Sequence, residues 1–261
     1  MTFSLDTIQK GIHKVPLRAL IYGPNGIGKS HFAGEFPAPL FMDIEGNIDH
    51  LDVAKQRITT WQEAIDFLTF LQSTKHPYKT LVVDSLDQLQ YLAHPIAMTL
   101  SNVKNMNEGY GKAWLHLITM FEEFRQECTV LSEAQGLHLI FISHNKIQRI
   151  HDLEQGDRDM LAPSLNDKIA FLFLDWCNLI GYAHRLVSLN KVNDLGWGKQ
   201  QKVFTEKADD QIGSRVLRVI DRPSCIAKET FNLKHKDGNI PLSAKGLLTQ
   251  IERFYNQAER T

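Results

Sequence analysis

Residues Leu20–Phe32 read LIYGPNGIGKSHF. An apolar run, Leu17–Tyr22, leads into Gly23, and Lys29 and Ser30 follow Gly26 and Gly28 at once. The segment Gly23-Pro24-Asn25-Gly26-Ile27-Gly28-Lys29-Ser30 satisfies G-x-x-x-x-G-K-[ST] at every position. A polyphosphate needs several N–H donors converging on it, so the backbone must wrap tightly around the anion. Glycines permit the positive φ angles this requires and remove the Cβ atoms that would block approach. A helix starting at Lys29 adds unpaired N–H groups and a favourable dipole. Gly23 through Ser30, with His31 in the first turn, are therefore candidate nucleotide ligands. Lys29 has the reach for the β- and γ-phosphates, and Ser30 can place its hydroxyl on Mg²⁺. The expected cofactors are ATP and Mg²⁺; no residue that would stack on the base can be placed from sequence.

Divalent metal needs a further oxygen ligand. Thr80–Asp84 is an apolar strand ending in a carboxylate, and Asp84 is expected to hold Mg²⁺ through water. Asp87, three residues on, is a lesser candidate, and Ser85 and Asp87 are both suitable helix caps. Hydrolysis also needs a group that orients or deprotonates water. Leu40–Gly46 ends a second strand with Asp43 and Glu45. If that strand lies beside the first, Glu45 faces the γ-phosphate, with Asp43 as the second choice. The expected catalytic set is Glu45, Lys29 and Asp84. Leu139–Asn145 is another apolar strand with a polar end, where Ser143 or His144 could sense the γ-phosphate by hydrogen bond.

The chain has 261 residues, 43% hydrophobic and 23% charged, as in a globular protein with a real core. Its formal net charge of −1 means that any nucleic-acid binding must come from a local patch. Cys128, Cys177 and Cys225 form no CxxC pair, which argues against structural zinc and a disulfide framework. Free thiols, an N-terminus without the apolar core of a signal peptide, and no run of membrane-spanning length lead us to expect a cytoplasmic protein with no membrane partner.

Five short apolar runs read as buried strands: Leu17–Tyr22, Pro39–Asp43, Thr80–Asp84, Leu137–Ser143 and Leu179–Ala183. Trp61, Ala64, Ile65, Leu68 and Leu71 share one helix face, and Trp114, Leu117, Ile118, Phe121, Phe124 and Cys128 another. Strands alternating with helices imply a parallel sheet covered on both sides. After about residue 185 the texture changes. Gln201–Ala208, Arg215–Asp221 and Ile226–Asn232 read as antiparallel additions, with turns at Asp209–Asp210, Asp221–Pro223 and Asp237–Gly238. A last amphipathic helix starts near Ser243, and Ser101–Gly111 and Asn145–Asn166 read as long loops.

Tyr22-Gly23-Pro24, the run Phe41–Asp49 and Val82-Val83-Asp84-Ser85 together resemble RecA-like ATPases. The likeness is greatest to phage-encoded RecA-like nucleotide-binding proteins, a group with ATPases linked to single-strand annealing and recombination. Gly109-Tyr110-Gly111-Lys112 and Ile226-Ala227-Lys228 are similar to that group as well, so the resemblance spans Leu17 to Lys228. It implies an α/β, RecA-like P-loop NTPase: a mostly parallel sheet with helices on both faces and C-terminal antiparallel strands. The Ser143 strand would lie between the Gly23 and Asp84 strands, and Glu45 would polarise the attacking water. The chain then divides into an extension at 1–16, an ATPase core at 17–242 and a C-terminal helix at 243–261.

The resemblance also implies rings or filaments with ATP near subunit interfaces, single-stranded DNA as a partner, and a phage single-strand-binding protein as a further candidate. If phage-encoded, the protein would work in the bacterial host cytoplasm. Lys228 would reach a neighbour's γ-phosphate; Glu229 and Thr230 follow it where Asn-Arg is more familiar, so a solvated lysine remains the alternative. The loop after the fourth strand would touch DNA through Lys146, Arg149 and Arg158. That loop also holds His151, but Asp152, Glu154, Asp157 and Asp159 nearly cancel its charge, and it has no aromatic residue. The implied function is ATP hydrolysis on single-stranded DNA in recombination, annealing or replication. A nucleotide switch or loading factor without DNA-stimulated turnover is the alternative. A GTPase is disfavoured because Gln148 replaces the aspartate of Asn-Lys-x-Asp, and a small-molecule kinase because the Arg149–Arg158 loop is too acidic for a lid.

Overall fold

The apolar run before the glycine turn forms β1 (Arg18–Tyr22), and the turn opens α1 (Lys29–Gly34). Next come β2 (Pro39–Asp43), β3 (Ala54–Arg57) and α2 (Trp61–Ser73), then β4 (Thr80–Asp84) and α3 (Leu86–Ser101). Helix α4 (Lys112–Gln135) leads to β5 (His138–Ser143), a hairpin of β6 (Asn145–Ile150) and β7 (Arg158–Pro163), α5 (Asp167–Trp176) and β8 (Leu179–Arg185). The remainder is β9 (Leu189–Asp194), β10 (Gln200–Phe204), β11 (Arg215–Arg218), β12 (Lys228–Glu229), β13 (Asn239–Pro241) and α6 (Ala244–Ala258). This computed structural model describes residues 10–151, 156–186, 189–194, 200–204 and 214–258.

Local chemistry sets the helix starts. Thr60 and Glu63 form a reciprocal capping box on α2, and Ser85 and Asn166 cap α3 and α5 by accepting from Gln88 N and Lys168 N. Helix α6 is capped from a distance: Glu35 Oε2 accepts from Ala244 N at 2.9 Å.

Among the described residues, nine strands form one sheet in the order β13-β11-β8-β1-β5-β4-β2-β3, with β12 also on β8. The run β8-β1-β5-β4-β2-β3 is parallel throughout. β11 and β12 share the free edge of β8, and both pair with it antiparallel, as β13 does with β11. The period of two along each strand divides the core cleanly. Leu20, Tyr22, Leu40, Met42, Leu81, Val83, Leu139 and Phe141 face α2 through α5. Ala19, Ile21, Phe41, Val82, Ile140 and Ile142 face α1 and α6. Both faces are covered, which is why these strands read as continuous apolar runs rather than alternating ones. The result is the α/β, mostly parallel sheet expected from sequence, with the Ser143 strand between the Gly23 and Asp84 strands.

Several expectations need correction. β2 does not lie beside β1; β5 and β4 intervene. β3 carries no apolar run because it is a largely exposed edge strand, held by its parallel pairing with β2. The Asn145–Asn166 segment is an antiparallel hairpin, registered from Asn145↔Pro163 to Ile150↔Arg158, rather than an irregular loop. The Ser101–Gly111 loop starts one residue later, since α3 runs on to Ser101 despite Pro95 in its middle. Of Ile226–Asn232 only Lys228–Glu229 pairs as a strand. The strand expected at Gln201–Ala208 pairs as β10 with β9 in a separate ribbon, not with the main sheet. Its end, with the Asp209–Asp210 turn, lies outside the described residues.

Phe173 of α5 is fully buried, with ring centroids 5.1 Å from Phe141, 6.2 Å from Phe121 and 6.1 Å from Trp176. It joins β5, α4 and α5 in one contact. Phe173→Ala should destabilise the chain by about 3–5 kcal/mol, read as a lowered urea midpoint.

Candidate functional site

Parallel register brings the strand ends into line. Tyr22 pairs with Ser143, Ile142 with Asp84, and Asp84 with Asp43. Gly23, Asp84, Glu45 and His144 therefore leave the sheet at one edge, the carboxyl edge where open α/β sheets place their ligands.

The loop after β1 is anchored by Ile27, buried in the core beneath α1, while Pro24, Asn25 and Gly26 stay exposed. Gly23 N donates to Ser143 O at 3.3 Å. A Cβ on Gly23 would stand 2.4 Å from Ala183 O, a backbone atom with no room to yield, so only glycine fits here. Lys29 is buried, and its Nζ donates to Gly23 O at 2.9 Å and Pro24 O at 3.1 Å. Burial pushes the Lys29 pKa down, with the charges of Asp84 and Glu45 opposing the fall. No carboxylate lies within ion-pair distance of it among the described residues. A buried cation hydrogen-bonded to loop carbonyls, with no carboxylate in ion-pair contact among the described residues, is the electrostatic complement of an anion.

Ser30 Oγ donates to Asp84 Oδ2 at 2.6 Å, which joins α1 to β4 across the intervening strand. Burial raises the Asp84 pKa to about 6, against the lowering effect of the Ser30 hydrogen bond. A hydroxyl and a carboxylate in contact at the mouth of the loop are a fitting oxygen pair for Mg²⁺.

Glu45 is placed by the turn that closes β2. Asp43 Oδ1 accepts from Gly46 N at 2.7 Å, and the Arg57 guanidinium lies 3.5 Å from the same oxygen. Asp43, the second-choice catalytic carboxylate, is therefore committed to shaping this turn. Asn47 Nδ2 holds Glu45 Oε2 at 2.8 Å, whereas Glu45 Oε1 is buried with no hydrogen-bond partner among the described residues. That orphaned oxygen lies 3.6 Å from His144 Nδ1.

His144 is held by Asp87 at two points. Its Nδ1 is 2.7 Å from Asp87 Oδ2, and its backbone N donates to Asp87 Oδ1 at 3.0 Å. The hydrogen bond to Asp87 raises the His144 pKa above its usual value, against the opposing effect of burial. Burial favours a higher Asp87 pKa, but the bonds from His144 outweigh it and hold the carboxyl low. Glu45, Asp87 and His144 bring one titratable atom each within 4.8 Å of the others. Sequence reading undervalued Asp87, because its partner is 57 residues away and no local pattern links them.

The other expected residues have other surroundings. Ser143 Oγ donates to His144 O at 3.0 Å and accepts from Ser164 N at 3.2 Å, so it fastens the base of the β6–β7 hairpin. His31 is exposed, its ring centroid 5.3 Å from that of His50. Lys146 Nζ donates to Leu165 O at 2.6 Å and to Asp167 Oδ1 at 2.5 Å, and Arg149 lies 3.4 Å from Asp157. Arg158 opens β7 opposite Ile150. Lys228 Nζ donates to Leu174 O at 3.0 Å and Asp175 O at 2.8 Å, the carbonyls at the end of α5. β12 pairs with the first residues of β8, so Lys228 sits away from this chain's own phosphate loop.

A glycine-wrapped loop between strand and helix, with a lysine and a serine–aspartate pair at its mouth and a strand inserted between the two motif-bearing strands, defines a P-loop NTPase fold. The chain belongs to the AAA domain family, whose match covers residues 15–231, well over half its length. That family consists generally of nucleotide-binding ATPases. No curated protein matches the chain. No helix among the described residues is long and apolar enough to cross a membrane.

The Asp87–His144 pair has a defined pH window. A raised histidine pKa contributes stability fully below its usual 6.5, and that contribution is lost as pH rises through the folded value. A depressed aspartate pKa contributes above its usual 3.8 and loses its contribution as pH falls through the folded value. The stability gap between wild type and Asp87→Asn, measured by urea unfolding, should therefore be widest between those limits and narrow above neutrality.

Proposed function

We propose that this chain is a Mg²⁺-dependent, RecA-like ATPase of phage type that acts on single-stranded DNA in recombination, annealing or replication. The observation that carries the ATPase part is Glu45 Oε1, buried and without a hydrogen-bond partner among the described residues, on the same sheet edge as Lys29 and the Ser30–Asp84 pair. Bound MgATP would supply the phosphoanhydride that water cleaves. Ser30 and Asp84 would hold the metal, and Lys29 the β- and γ-phosphates. Glu45 Oε1 accepts a hydrogen from water and takes up its proton as attack proceeds. Asn47 fixes the other carboxylate oxygen, so the proton-accepting atom is defined. His144, kept cationic to higher pH by its hydrogen bond to Asp87, can donate to the terminal phosphate.

The resemblance to RecA-like proteins supports the DNA-directed part, as does the placement of the hairpin. β6 begins one residue after His144, so Lys146, Arg149 and Arg158 ride on an element rooted in the catalytic edge. Self-association into a ring or filament, a trans-acting Lys228 and a phage single-strand-binding protein as partner belong to this reading. One observation favours the second reading, a nucleotide switch or loading factor: Lys146 and Arg149 already lie against Asp167 and Asp157, which weakens the hairpin as a phosphate-binding surface.

Two variants and one assay separate these. Lys29→Ala should lose tight MgATP binding in calorimetry. Glu45→Gln should bind MgATP as wild type does, with turnover lowered by about 10²–10⁴-fold. Turnover raised by single-stranded DNA, with stimulation that falls as salt rises, supports the recombination reading. Negligible hydrolysis with or without DNA moves the assignment to the switch.

A further inference from the structure

Glycine at position 28 leaves a space that a side chain from far along the chain enters. Nη1 of Arg215 lies 2.6 Å from where a Cβ on Gly28 would stand, with Cζ at 3.6 Å and Cδ at 3.7 Å. Gly28 has φ +105° and precedes Lys29 directly, so the guanidinium rests on the last bend of the phosphate loop.

The register of the antiparallel extension explains how it gets there. Leu217 of β11 lies opposite Ala183 of β8, and both belong to the core beneath α1. Two residues along, Arg215 lies opposite Arg185 on the same face, level with the loop that Ala183 O touches at Gly23. Arg185 also lines the groove beside Pro24, Asn25, Gly26 and Ile27.

Arg215 is exposed, and its guanidinium makes no hydrogen bond or ion pair among the described residues. Its surroundings among the described residues are like-charged or N–H-rich: Arg185 directly across the strands, Lys29 next in sequence to Gly28, and a loop whose amides are built to donate. Like charges directly opposite in an antiparallel pair are destabilising. A cation held against an anion cradle, with no carboxylate partner among the described residues, is reconciled by the anion itself.

Resting on the ATPase reading above, we propose that Arg215 binds the α- and β-phosphates of the nucleotide in cis. The β11 strand thereby completes the phosphate site from within the same chain. The assignment to α and β follows from position. Loop amides at this end of the motif cradle those phosphates, while Lys29 reaches the β- and γ-phosphates. Arginine suits the task because its planar fork can donate two parallel hydrogen bonds to phosphate oxygens.

Calorimetric titration of the full chain with MgATP and with MgADP tests this, using wild type, Arg215→Ala and Arg215→Lys. Arg215→Ala should weaken both nucleotides alike, by about 10- to 100-fold, the range of a hydrogen bond to a charged group. Arg215→Lys should recover part of the loss, and the nucleotide-free melting temperature should not fall below wild type, since the side chain has no partner to lose among the described residues. Wild-type affinity in Arg215→Ala overturns the proposal. A loss confined to MgATP also overturns it, by moving Arg215 to the terminal phosphate. A loss that tracks a lowered nucleotide-free melting temperature overturns it as a folding effect. Wild type that binds neither nucleotide defeats the ATPase reading instead, a result distinct from all three.

Discussion

The parallel hydrogen-bond register of β1, β5, β4 and β2 is the constraint on which the site rests. Parallel ladders step evenly, so strands of similar length that pair without offset end on one line. Here Tyr22 lies opposite Ser143, and Asp43 and Asp84 line up with Ile142 one residue before it, so the residues at and just beyond these ends supply the polar chemistry. A shift of one residue in any of these pairings would turn the affected strand's side chains to the opposite face. Leu20, Leu81 and Phe141 would then leave the face they share, and Asp84 would lose its contact with Ser30. The buried apolar strands thus hold the register, and the register holds the chemistry.

The charges at this edge are poorly balanced in the protein alone. Lys29 is buried against carbonyls, and Asp84 is pushed up to about 6 by its own burial. Both conditions oppose the charged form, and both would be relieved by a partner of opposite sign. An anion answers the first and a cation the second. Arg215, resting on Gly28 with no partner among the described residues, belongs to the same pattern.

The hairpin is tied to this edge by contacts spread through the chain. Ser143 Oγ and His144 O both accept from Ser164 N or bond within the strand end, while Asp87 grips His144 from α3. Tyr22, the last residue of β1, donates its hydroxyl to Leu161 O at 3.1 Å and Ile226 O at 2.7 Å. Burial drives that phenol pKa well above its usual range, so it stays a donor. The phosphate-loop strand, the hairpin and the segment before β12 therefore meet at one side chain. A change in how Glu45 and His144 are held has a continuous hydrogen-bonded path to β6 and β7.

Where local pattern carried the information, sequence alone determined the outcome: the phosphate loop, the apolar strands β1, β2, β4, β5 and β8, the carboxylates that end them, and helices α2 and α4. Each depends on residues close in the chain, whose spacing mirrors the period of a strand, a helix or a turn. Tertiary structure decided the rest. β3 has no apolar signature, because an exposed edge strand needs only a neighbour's backbone. The antiparallel hairpin of β6 and β7 lay hidden in a charged stretch, where cross-strand pairing, not hydrophobic period, defines the element. The Asp87–His144 pair and the approach of Arg215 to Gly28 join residues 57 and 187 positions apart. Such contacts leave no trace in any local window, since they follow from strand order and register, which only the folded sheet specifies.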